Sequence, residues 1–127
     1  MSQGTKYSSS NAETLSGAKT LTATDAKNQF LDPGGSGRNV DLPDMRTLTT
    51  DINSEGTGDA GTDRYADTQG GFFVISNTAD AAEVITVRGW NGSTTTGTIM
   101  TPTQNETGVC YWTGATSGWI GIAGSDA

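Results

Sequence analysis

Hydrophobic positions in this chain come in short runs, and most runs alternate with polar residues. Residues 20–24 alternate, with Leu21 and Ala23 on one face, which predicts a strand because side chains one apart point to opposite sides. Residues 29–31 predict a second short strand. Asp32 to Gly37 follow as a strong turn signal, built from Pro33 and three glycines. Arg38 to Leu42 alternate again, with Val40 and Leu42 inward, and Pro43 ends the strand because it has no ladder donor. Phe72 to Ile75 are apolar at every position, the pattern of a central strand covered on both faces. Residues 77–82 predict a turn and residues 83–88 a strand. Trp90 to Ser93 carry the Asn-Gly pair of a hairpin turn. Residues 98–100, 109–112 and 119–122 predict the last strands, with Thr113 to Gly118 joining the final pair. No run of ten residues has a helical period. Seven or eight short strands at close spacing predict an all-β fold: a small antiparallel sandwich, prism or barrel.

Two segments fall outside this pattern. Residues 1–18 are small, polar and rich in Ser, and read as an extended N-terminal arm to a single β domain spanning 19–127. Residues 44–70 hold six acids against Arg46 and Arg64, with only a faint periodicity from Met45, Leu48 and Ile52. A stretch this long without elements reads as an acidic insertion between two halves of the domain.

Composition makes the core thin. Leu, Ile, Val and Phe account for 19 of 127 residues, and the net charge is −7. That is below the roughly 20% at which a charged chain is expected to be disordered. The 22 Thr and 18 Gly argue otherwise, because Thr suits a pleated surface and Gly suits tight turns. One Cys cannot form an internal disulfide, and without His a usual zinc site is not expected. Self-association is the remaining route to a sufficient core.

The same composition limits the chemistry. Absence of His closes the usual routes to an activated Ser or Cys nucleophile. Cys110 has no nearby cation in sequence and reads as a packing residue. Its flanks, Val109 and Tyr111, turn to the opposite face. No catalytic residue and no cofactor is expected. Asp51, Asn53, Glu55 and Asp59 fall at calcium-loop spacing, but Thr62 stands where the closing Glu belongs, which makes them a weak metal candidate. Trp90, Trp112 and Trp119, with Tyr111, offer either buried area or a sugar-stacking face. These tryptophans, with Lys6 and Tyr7 of the arm, are the candidate partner contacts. The acidic balance argues against nucleic acid. No stretch has the length and apolarity of a membrane span, and no apolar run opens the chain.

The runs Gln29 to Pro43, Gly71 to Val87, and Gln104 through Cys110 to Gly121 resemble small β modules of tailed-bacteriophage virion proteins. Such modules occur in capsid decoration (cement) proteins, head fibres and tail fibres, and tend to form trimers. The resemblance covers roughly residues 20–43 and 71–122, and residues 44–70 depart from it. It implies a homotrimer on the capsid surface of a virion, made in the host cytoplasm. Its partners would be its own copies and the major capsid protein. A fibre module binding host-surface glycans is the alternative. The resemblance brings no catalytic residues.

Overall fold

The computed structural model describes residues 9–48 and 71–125. Nine strands lie among them: β1 (Ser10–Thr14), β2 (Lys19–Thr20), β3 (Asn28–Asp32), β4 (Arg38–Asp41), β5 (Phe72–Asn77), β6 (Ile85–Gly89), β7 (Gly97–Met100), β8 (Thr107–Trp112) and β9 (Trp119–Gly124). The one helical element among the described residues is a 3-10 turn, Met45–Leu48. The all-β reading therefore holds, but the arrangement is mixed and not antiparallel, and the sheets do not close into a barrel. One sheet has five strands in the order β1-β3-β5-β8-β9, and the other has four in the order β2-β4-β6-β7.

The parallel pairs arise from how the chain travels. It crosses from one sheet to the other after each of the first five strands, so the next strand in a sheet arrives a full circuit later and runs the same way. Three circuits stack in register. Asn11, Gln29 and Ile75 form one level of the five-stranded sheet, and Glu13, Leu31 and Asn77 another. In the four-stranded sheet, Lys19, Val40 and Val87 share a level. After β6 the chain turns back within a sheet, and antiparallel pairs close the stack: β7 on β6, β8 on β5 and β9 on β8.

Alternation then sorts the side chains. Leu31, Phe73, Ile75 and Cys110 from one sheet and Val40, Ile85, Val87 and Met100 from the other form the buried core. Trp112 and Trp119 complete it, packed edge to face with centroids 5.7 Å apart. Phe73 lies 6.0 Å from the Trp119 ring. Glycine is required where the backbone approaches closely. Gly118 has a φ of 74°, and a Cβ there would run into the Trp90 carbonyl.

The buried side-chain amides of Asn77 and Gln29 are tied mainly to the chain's own backbone. Asn77 Nδ2 donates to the carbonyls of Glu83 (2.8 Å) and Pro102 (3.0 Å), and its Oδ1 accepts from the Ala79 amide (2.9 Å). Gln29 donates to the Ala26 carbonyl (2.8 Å) and accepts from Asn11 (2.9 Å). These side chains pin the crossings where no ladder reaches.

The N-terminal reading needs correction. Within residues 1–18, Ser10–Thr14 is strand β1, paired parallel with β3. Leu15 is buried, and its amide donates to the Asp32 carbonyl at 2.7 Å. The segment looked like an arm because β1 is an edge strand whose residues face solvent on most sides, so selection for apolar positions is weak there. Residues 1–8 lie outside the described residues, as do 49–70 of the insertion. Residues 44–48 belong to the body, with Met45 in the core. The strand expected at 20–24 is also shorter: Leu21 is buried, but Thr22 to Asp25 form a turn closed by the Asp25 carboxylate on the Thr22 amide.

Leu15→Ala is expected to destabilise the protein by about 2–3 kcal/mol, as for a buried Leu. The same change in an arm would fall within ~0.5 kcal/mol. Urea denaturation followed by tryptophan emission separates the two.

Candidate assembly surface

The two outward faces of the molecule are opposites. On the four-stranded sheet, the outward positions are Thr20, Asn39, Asp41, Thr86, Arg88 and Thr98. All are polar, and Arg88 grips the Asp41 carboxylate with two bonds of 2.7 and 2.9 Å. This is an ordinary wet face.

The five-stranded sheet presents the reverse. Its register sends Ala12, Phe30, Phe72, Val74, Val109, Tyr111, Ile120 and Ile122 outward, along with Ser10, Thr14, Asn28, Ser76, Thr107 and Gly124. Asp32, at the end of β3, is the one charged residue at these outward positions. Ile122 is 76% exposed, Ile120 53%, Tyr111 50% and Phe30 41%. With Phe72, these side chains leave on the order of 500 Å² of apolar surface in water. That is the upper end of what a monomer's largest patch shows. Phe72 and Tyr111 pack against each other at 6.2 Å. Beside them, Val109, Tyr111, Ile120, Gly121 and Ile122 line an apolar groove of about 370 Å³. Toward the other end of the strands, the face becomes polar, and the Ser76 and Thr107 hydroxyls bond at 2.9 Å.

The candidate partner contacts are placed elsewhere. Trp112 and Trp119 are 1% and 2% exposed and lie in the core, so neither is a surface contact of the folded chain. Both were drawn inward because their strands place them opposite Val109 and Ile120 in the alternation. Trp90 is half-buried. Its indole donates to the Ala115 carbonyl at 2.7 Å, and the Arg46 guanidinium covers its ring at 3.6 Å. A sugar would have to displace that cation. Lys6 and Tyr7 lie outside the described residues, as do the calcium candidates Asp51, Asn53, Glu55 and Asp59. Among the described residues, no three His, Cys, Asp or Glu gather as a metal site.

Apart from Tyr111, the surface residues themselves were missed, although a signal was present. Phe72 to Ile75 read as a strand covered on both sides. Phe73 and Ile75 are indeed inside, but Phe72 and Val74 face outward, Phe72 exposed and Val74 half-buried. The partial repeat of this at Tyr111 and at Ile120 with Ile122 marks one continuous face once the register is known.

Cys110 is fully buried, and its thiol donates to the Phe73 carbonyl at 3.6 Å. Burial pushes its pKa up to about 12. Asp44 takes two bonds from the Arg46 guanidinium, at 2.9 and 2.7 Å. Those bonds hold its carboxyl below the ordinary value of 3.8 against the opposing effect of burial. The sequence matches no protein-family model and no curated protein.

Two outcomes follow from these groups. Cys110 in the folded protein should not react with a disulfide reagent at pH 8, and should react stoichiometrically in denaturant, as absorbance reports. The Asp44–Arg46 contribution to stability should be present in full above the carboxyl's unfolded value and disappear as pH falls through its lower folded value. Urea midpoints between pH 5 and 2 should therefore fall less steeply for Asp44→Asn than for the parent.

Proposed function

We propose that this chain is a structural protein of a tailed-bacteriophage virion that decorates and stabilises the capsid surface as an oligomer, in the first instance a homotrimer. The observation that carries this reading is the contrast between its two outward faces. A chain with a thin core has left a charge-poor apolar sheet in water, while its other sheet is fully polar. Such a body is built to be covered on one side and wetted on the other. The resemblance of residues 29–43, 71–87 and 104–121 to virion modules supplies the setting.

The residues fit a role in binding rather than turnover. The thiol is buried and protonated, and Phe30, Phe72, Tyr111, Ile120 and Ile122, the large exposed side chains of the apolar face, offer no acid, base or nucleophile beyond the Tyr111 hydroxyl. Stacked parallel circuits make a stiff unit, because each circuit shares ladder bonds with the next in both sheets. A stiff oligomer seated on its capsid partner would bridge neighbouring capsomers and resist outward pressure. The acidic exterior would hold free copies apart and in solution before assembly. The major capsid protein is the partner this reading requires.

The test is occupancy. Purified protein added to expanded capsids that lack it should bind to saturation at a fixed ratio to the major capsid protein, and should raise the temperature at which the shells open. Quantified particles should hold many copies each. A few copies confined to a tail or fibre, with no binding to shells, would overturn decoration in favour of a fibre module.

A further inference from the structure

The apolar face has internal relief. Phe30 stands out from β3 between two small neighbours at its own level, Ala12 on β1 and Ser76 on β5. On the other half of the same face, the groove lined by Val109, Tyr111, Ile120, Gly121 and Ile122 runs along β8 and β9. A knob and a groove of matching chemistry therefore lie on one sheet. Between β3 and β9 are three strand spacings, about 14 Å. Phe30 cannot reach the groove of its own chain.

We propose that this face is the contact between copies of the chain, with Phe30 of one copy seated in the β8–β9 groove of the next. The inference rests on the self-assembly part of the function proposed above and names its surface. Charge selects the occupant. Each copy carries a net charge of −7, so two copies meet at least cost where neither presents charge. Among outward positions of the described strands, this face alone meets that condition, with Asp32 at its end. A basic partner would instead be drawn to carboxylates, which this face lacks in its apolar part. Size agrees as well. Exposed apolar surface on the order of 500 Å², extended by the half-buried Val74 and Val109 and the polar end of the sheet, approaches the roughly 800 Å² per partner of a stable interface. In a ring, each copy gives its knob to one neighbour and its groove to the other, so the face is divided between two contacts of about half that area each, and the assembly closes.

Paired cysteines test the contact directly. The Phe30→Cys/Ile122→Cys variant, treated with diamide, should crosslink most chains between copies, whereas each single variant should crosslink few. Tryptophan emission and circular dichroism confirm folding. As a second measurement, Ile122→Asp and Phe30→Ala should shift the parent oligomer toward monomer in light scattering at micromolar concentration. A monomeric parent, or a double variant that crosslinks no more than the singles, would overturn the proposal. A covalent species that stops at two chains supports the contact and removes the threefold part of the functional reading. Crosslinked rings that do not bind capsids uphold the contact and overturn decoration. Monomers that saturate capsids do the opposite.

Discussion

The contact between the inward sides of the two sheets holds this molecule together, and it is thin. Leu31, Ile75, Phe73 and Cys110 meet Val40, Ile85, Val87 and Met100 across a single layer, with Trp112 and Trp119 closing one part of it. Strands β3 to β9 contribute to that layer through alternate residues only, so half of each of them is left facing out. Burial on the order of 25 cal/mol per Å² from so few aliphatic side chains leaves little surplus over the entropy of ordering the backbone. The circuit topology helps, because β3 and β4, and after them β5 and β6, have ladder partners on both sides. Buried amides of Asn77 and Gln29 then fasten the crossings, where a lost partner would leave carbonyls dry and unpaired.

That constraint gives the outward faces their meaning. A two-layer body with one core needs polar residues on both outer surfaces, and this one has them on only one. Where Asp41 and Arg88 face solvent, the sheet is finished. Where Phe72, Tyr111, Ile120 and Ile122 face outward, it reads as the inner surface of a third layer that the described residues do not supply. The aromatic residues are divided accordingly. Trp112 and Trp119 serve the chain's own core, Trp90 is held by its indole donor and the Arg46 cation, and Phe30 and Tyr111 are left on the uncovered face. The proposal that the protein assembles with copies and seats on a larger shell rests on that division.

Much of this was legible along the chain. Period-2 patterning located most strands to within a residue or two, Pro33 and its glycines marked the turn before β4, and the absence of His removed the usual nucleophile chemistry. Ser10–Thr14 was not legible, because an edge strand with two exposed sides carries almost no apolar pattern. The candidate contacts went wrong for a related reason. Large aromatics such as Trp112 and Trp119 attract attention by size, but only their parity within a paired strand decides whether they point in or out.

By itself, the sequence determined the class of structure, all-β with a thin core and no His, because alternation, turn residues and composition are local or additive properties. Only the tertiary structure decided that successive strands alternate between two sheets and run parallel, because that depends on where each crossing lands. It also decided which of two apolar sets, Phe73 with Ile75 or Phe72 with Val74, would be buried. A strand with apolar residues on both sides has no preference of its own. The partner sheet covers one side and leaves the other facing outward.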